Sequence, residues 1–325
     1  MKDTLRWSYA LNQWNYRMDV FIRHEHQQRA LRTLSGLGFD HVELHADTGG
    51  RWDNLGRPEV ILLNHGSVDG FRRFLSSAGV AGVSSMFWDP GLPVEEEGYE
   101  FVLAVDPSRA DWIVNAAGPY VDFLAAVGGE VLVVRPAGSA WMTGPLDGDA
   151  IARLAGLWNR VGQRAAQAGV RLAVHHDCLS GIHSREQVEH FLSLTDPATV
   201  GLALDTAEFT IAGIDPVAFY RDHHERVVHV HLKDTLHRDT GEEHLMPGAE
   251  ATMLRGGAGR RIERWFYELG AEGGLVDVKG FVAALREHSH PGWVVVESDH
   301  AGEPAEMAML NSWFLQHELG LSPKG

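Results

Sequence analysis

The chain is 325 residues long with 44% hydrophobic and 22% charged residues, enough apolar material for one large barrel or two ordinary domains. It carries 28 basic against 44 acidic residues, and the net charge of −16 repels phosphate backbones and argues against nucleic acid as a partner. The single cysteine, Cys178, excludes an internal disulfide; with no signal peptide and no apolar run of about 18 residues, a cytoplasmic protein without a membrane partner is expected.

Short β-rich runs alternate with longer amphipathic stretches along the whole chain. The first expected strand, residues 5–11, precedes a helix over 24–37, and a strand at 41–44 precedes a helix over 68–78. Strands at 82–87, 130–135 and 171–175 are each followed by a helix, over 108–127, 149–168 and 184–194. The series closes with strands at 200–205, 227–232 and 293–297 and helices at 216–223, 277–288 and 304–318. Ser67, Asp149 and Ser184 stand where a helix N-cap accepts a backbone N–H, and Gly38, Gly79 and Gly169 where a left-handed C-cap favours glycine. Residues 131–134, Val-Leu-Val-Val, are apolar on both faces, as a parallel strand covered by helices must be.

Eight βα units predict an α/β fold, a (β/α)8 TIM barrel in one domain spanning 1–325. The alternative, a doubly wound open sheet, lacks a Gly-rich phosphate fingerprint after the first strand. The longest irregular stretch, 236–268, follows the seventh strand and holds Pro247, Gly256-Gly257-Ala258-Gly259 and Trp265-Phe266-Tyr267. It is expected to lie over the barrel mouth, where it would contact substrate or another subunit.

In such a barrel the functional side chains sit at the C-terminal ends of the strands. Strands five to eight end on His175, Asp205, His231 and Glu297. Two imidazoles and two carboxylates suit a first-row dication, and their summed charge of −2 neutralises it while leaving a useful Lewis acid. Each residue alone is more simply a hydrogen-bonded structural group; four on successive strand ends favour a metal centre. Glu43 and His45 are candidates for binding substrate hydroxyls, and Trp88 for stacking on a sugar face or for core packing. Arg135 suits a substrate anion or an acidic neighbour, and Lys233 an oxyanion, a leaving group or an ion pair with Asp234.

Residues 200–206 (VGLALDT), 212–216 (AGIDP), 226–234 (RVVHVHLKD) and 291–299 (PGWVVVESD) resemble the sugar phosphate isomerase/epimerase superfamily of xylose isomerase-like barrels. The resemblance is strongest over 171–299. It implies that Asp205, His231 and Glu297 are metal ligands, with the fourth at the end of strand five. Most epimerases of that family carry a glutamate there; this chain has His175 followed by His176, like inosose dehydratases. Many relatives also have a histidine where this chain has Glu208. Loss of one glutamate breaks the symmetric two-base arrangement of an epimerase, whereas a lyase needs one base and one acid. The resemblance therefore implies a lyase acting on a keto-sugar or keto-polyol through an enediolate, with His176 or Glu297 as base. One divalent ion is implied, manganese first, with cobalt, zinc, iron and magnesium as alternatives. The other readings are a 3-oxo-glycoside lyase paired with a small second subunit, and a sugar epimerase or isomerase. A homo-oligomer or such a subunit pairing is the expected assembly. An apurinic-site endonuclease is disfavoured by the charge, and a non-catalytic barrel by the intact ligand set.

Overall fold

The computed structural model describes residues 5–15, 24–46, 55–90, 103–247, 249, 265–298 and 302–321. Eight parallel strands close on themselves: β1 (Arg6–Ala10), β2 (His41–Ala46), β3 (Gly82–Trp88), β4 (Val131–Val134), β5 (Arg171–His175), β6 (Val200–Asp205), β7 (Val227–Leu232) and β10 (Trp293–Val296). Their order around the barrel is β1-β10-β7-β6-β5-β4-β3-β2. Two further strands, β8 (Asp234–Thr235) and β9 (Phe266–Tyr267), form an antiparallel ribbon above the mouth-side end of β7.

Every strand and helix expected from the sequence forms, with boundaries displaced by a few residues at most. Gly38, Gly79 and Gly169 end their helices at φ of 101°, 82° and 76°, a conformation that costs a side chain dearly. Ser184 makes a full capping box with Gln187. Asp149 is not a cap: the cap lies two residues earlier, where the Asp147 carboxylate accepts from Ala150 N at 2.8 Å and the helix begins at Gly148. Four α-helices among the described residues went unexpected, the single turns Asn12–Asn15 and Ala140–Thr143 and the longer Pro58–His65 and Thr206–Ile211. Thr206–Ile211 is six residues long and buried throughout, too short to show an amphipathic period.

Alternation within each strand decides what the site receives, because successive side chains face opposite sides of the barrel wall. Val133, Ala173, Ala203 and Phe87 pack together inside the barrel. Two positions further along the same strands and the next come Arg135, His175 and Asp205, at the mouth. Small residues deeper in the barrel leave room for large ones opposite: a Cβ on Gly201 would meet the Val228 side chain at 2.4 Å. The other face of each strand packs on the helices, where Trp158 is buried and donates from Nε1 to the Pro136 carbonyl at 2.8 Å. Among the described residues no helix is long and apolar enough to cross a membrane.

Of the irregular stretch 236–268, residues 248 and 250–264, including the glycine cluster, lie outside the described residues. Its end returns to the barrel: Trp265 and Phe266 are buried against Cys178, Leu179, Ala207 and Ile211, and Thr235 Oγ1 donates to the Trp265 carbonyl at 2.7 Å.

Candidate metal centre

The mouth-side ends of β5, β6 and β7 bring His175, Asp205 and His231 together, with one donor atom from each lying within 4.8 Å of the others. His175 Nε2 lies 3.4 Å from Asp205 Oδ2, and His231 Nδ1 lies 3.8 Å from the same oxygen. Glu297, just past β10, places Oε2 3.0 Å from His231 Nδ1. Both atoms are buried and neither has a well-aligned hydrogen bond, while the Lys233 ammonium stands 3.2 Å from Oε2. Two imidazoles and two carboxylates turned toward one buried point, with a lysine ammonium already drawn to the carboxylates, mark a place that favours positive charge. The residues expected as ligands therefore fit a divalent ion in both chemistry and convergence.

The carboxylates are fixed from their other sides. Asn12 donates its amide to Glu297 Oε1, and Asp205 Oδ1 caps the helix Thr206–Ile211 by accepting from Glu208 N at 2.9 Å. Lys233 lies across the front, with Nζ 3.0 Å from Asp205 Oδ2, 3.2 Å from Glu297 Oε2 and 4.0 Å above the Phe266 ring. Burial pushes the Glu297 carboxyl up, but the Lys233 ammonium and the His231 ring hold it well below the ordinary range. Asp205 is held low in the same way by Lys233 and His175.

Glu43, expected at substrate hydroxyls, is fully buried behind His231 instead. Its Oε1 approaches His231 Nε2 at 2.9 Å, and its Oε2 takes His229 Nε2 at 2.9 Å and Ser85 Oγ at 2.7 Å. Burial pulls the His231 imidazole down, yet the Glu43 and Glu297 carboxylates hold it well above its usual value. A carboxylate behind the distal nitrogen of a metal-facing histidine is the arrangement that fixes its orientation and raises its basicity.

Strand alternation separates two other candidates from the site. Trp88 faces the helices, stacked on Tyr120 at 5.1 Å, while its neighbour Phe87 faces inward, 5.5 Å from the His175 ring. His176 likewise points out of the barrel, packing on Phe209 and bonding through Nε2 to the His183 carbonyl at 2.9 Å. Burial drives its pKa down to about 4. His45 stays at the mouth and stacks on Phe87 at 4.6 Å with 7° between the rings. Arg135 is buried between Asp177 and Asp89, at 3.1 and 3.4 Å. Sequence reasoning assigned no role to His229, Ser85 or Phe87. The alternation in 227–232 (VVHVHL) was the available signal for His229, since it puts both histidines on one face.

A closed barrel with polar groups converging on one mouth defines a class of enzymes. The xylose isomerase-like TIM barrel family matches residues 31–314, and the chain belongs to it. An inosose dehydratase of Lacticaseibacillus casei is 28% identical over 196 residues, covering 57% of this chain and 62% of that protein. The chain thus spans about three fifths of that relative's length. Among solved structures, the probable 3-DHS dehydratase of Bacillus anthracis superposes with a TM-score of 0.71 at 10% identity, covering 96% of this chain and 99% of that one. A D-allulose 3-epimerase of Methylomonas sp. gives 0.68 at 16% identity, covering 96% and 97%. At these identities the two structures speak for the fold alone.

Proposed function

We propose that the protein is a divalent-metal-dependent lyase that removes water from a keto-polyol or keto-sugar through an enediolate, as an inosose dehydratase does. The observation that carries the reading is the convergence of His231 Nδ1 and Glu297 Oε2, 3.0 Å apart and buried, with His175 and Asp205 on one point. His175, Asp205, His231 and Glu297 would hold the ion, which supplies Lewis acidity toward a substrate carbonyl and its neighbouring hydroxyl. The mixed nitrogen and oxygen set suits manganese and leaves cobalt, zinc, iron and magnesium as competitors.

Two residues of the chain then divide the proton work. Glu297 Oε2 takes the proton from the carbon next to the carbonyl. Lys233 Nζ, 3.2 Å from that oxygen, gives a proton to the departing hydroxyl, so the carbon–oxygen bond breaks with loss of water. The asymmetry supports elimination: the strand-five position carries an imidazole, His175, where most epimerases carry a glutamate base. His45 and Phe87 line the mouth where a sugar ring would lie. His176 is set aside as base, because it faces the helices and its Nε2 is engaged with a carbonyl. Metal analysis of protein purified without chelators tests the centre. One manganese equivalent is expected in the wild type and none in His231→Ala, with the barrel still folded. Manganese retained by the variant would overturn the assignment.

A further inference from the structure

A lysine ammonium rides on a flexible four-carbon stem, so the acid role given to Lys233 needs something to hold it in place. Directly after Lys233, residues Asp234 and Thr235 form β8, which pairs antiparallel with β9 in the register Asp234↔Tyr267 and Thr235↔Phe266. That pairing brings the end of the irregular stretch 236–268 back to Lys233, whose Nζ stands 4.0 Å from the centroid of the Phe266 ring. We propose that Phe266 is a positioning residue for Lys233, its ring face holding the ammonium where the departing hydroxyl is protonated. The inference rests on the acid role of Lys233 and adds the group that sets its place.

Both partners are buried, and each is fixed by its own surroundings. Thr206 clasps the backbone of Lys233: its Oγ1 accepts from the Lys233 N–H at 3.1 Å and donates to the Lys233 carbonyl at 2.7 Å. Phe266 packs among Cys178, Leu179, Ala207 and Ile211. Its ribbon is tied down as well. Thr235 Oγ1 donates to the Trp265 carbonyl at 2.7 Å, and Asp234 Oδ1 accepts from Thr235 N at 2.8 Å and from Val276 N at 3.1 Å. An ammonium out of water above a packed ring is where a cation–π contact is strongest.

Three carboxylates also lie near Nζ: Asp205 Oδ2 at 3.0 Å, Glu297 Oε2 at 3.2 Å and Glu208 Oε1 at 3.7 Å. The first two belong to the groups assigned to the ion, and with their charge engaged there they hold an ammonium less. Glu208 is shared with the Cys178 N–H, which donates to its Oε2 at 2.9 Å. The Phe266 ring has no second duty. It attracts a cation through its electron-rich face without accepting a proton or ligating a dication, so it can hold Lys233 throughout turnover.

Nuclear magnetic resonance on isotope-labelled lysine reads the contact directly. The sequence has four lysines, Lys2, Lys233, Lys279 and Lys324, and Lys279 is exposed and paired with Glu318, which makes it a reference. The ring current of Phe266 should shift the Lys233 Cε protons upfield of those of Lys279, with and without added magnesium, and the shift should vanish in Phe266→Leu. That variant should lower kcat by about 3–30-fold and leave KM unchanged. A ring-trifluorinated phenylalanine at position 266 keeps the shape but draws electrons from the ring face. It should lower kcat by a similar factor while the denaturant midpoint stays at the wild-type value. A wild-type spectrum without the upfield signal, or a fluorinated protein with wild-type kcat, would overturn the inference. The two failures are separable: Lys233→Met at wild-type kcat would sink the acid role itself, whereas a slow Lys233→Met beside a fast fluorinated protein would sink only the part given to Phe266.

Discussion

Replacing Glu43 with glutamine removes one charge from a fully buried position without removing the shape of the side chain. Three groups lean on that carboxylate: His229 Nε2 at 2.9 Å, Ser85 Oγ at 2.7 Å and His231 Nε2 at 2.9 Å. The amide can still accept on one side, so the barrel should stay folded. On the other side it presents an N–H toward an imidazole that needs an acceptor. His231 then loses both its orienting partner and part of its basicity. Partners of this kind are worth about 10–100-fold in metal affinity, or about 1.4–2.7 kcal/mol. Glu43→Ala should be harsher and destabilise the fold by about 3–5 kcal/mol, since it leaves buried imidazoles without their counter-charge. Competition with a fluorescent chelator at neutral pH measures the manganese dissociation constant directly. A glutamine variant that binds manganese within about threefold of wild type would show that Glu43 does not support His231.

Trp88→Ala should cost about 3–5 kcal/mol in denaturant unfolding and leave KM for the sugar unchanged, whereas Phe87→Ala should raise KM, because only Phe87 faces the mouth. Lys233→Met should lower kcat by about 10²–10⁴ with metal still bound, while His176→Gln keeps kcat near wild type; a crippled His176 variant with normal metal content would restore that histidine as base. Glu208, pushed up to about 8 by burial and by Asp177, binds a proton in the folded state that the unfolded chain releases near 4.5. Its stabilisation is complete below that lower value and is lost as pH rises through about 8, so chelated protein should melt at falling temperature across this window. Glu208→Gln, which mimics the protonated acid, should flatten that fall, and an unaltered slope would assign it to other groups.

The barrel was legible because its strands and helices repeat with two different periods and because glycine and serine punctuate them at Gly38, Gly79, Gly169, Ser67 and Ser184. The convergence of His175, Asp205, His231 and Glu297 followed from one rule, that strand ends carry function, applied to four neighbouring strands. The same rule, applied without the alternation of side chains, placed Trp88 and His176 at the site beside Phe87 and His175. Adjacent residues at a strand end face opposite sides of the wall, so only one of each pair can reach the mouth. Glu43 was misread for another reason. Its partners are 42 and 186 residues away in sequence, at Ser85 and His229, and no local pattern shows that a carboxylate will be enclosed by the strands beside and opposite it. The contact of Lys233 with Phe266 is equally non-local, made only because the ribbon of β8 and β9 returns the chain to the rim.

The central claim, elimination of water at a metal centre, is tested most directly by turnover. Chelator-treated protein, reloaded with manganese, is incubated with a keto-inositol in deuterated water and the products are read by mass spectrometry. The account predicts manganese-dependent loss of one water from the substrate, absent in His231→Ala and in Glu297→Gln. Deuterium appearing at the carbon beside the carbonyl with every hydroxyl retained would contradict it, for that is the signature of an epimerase.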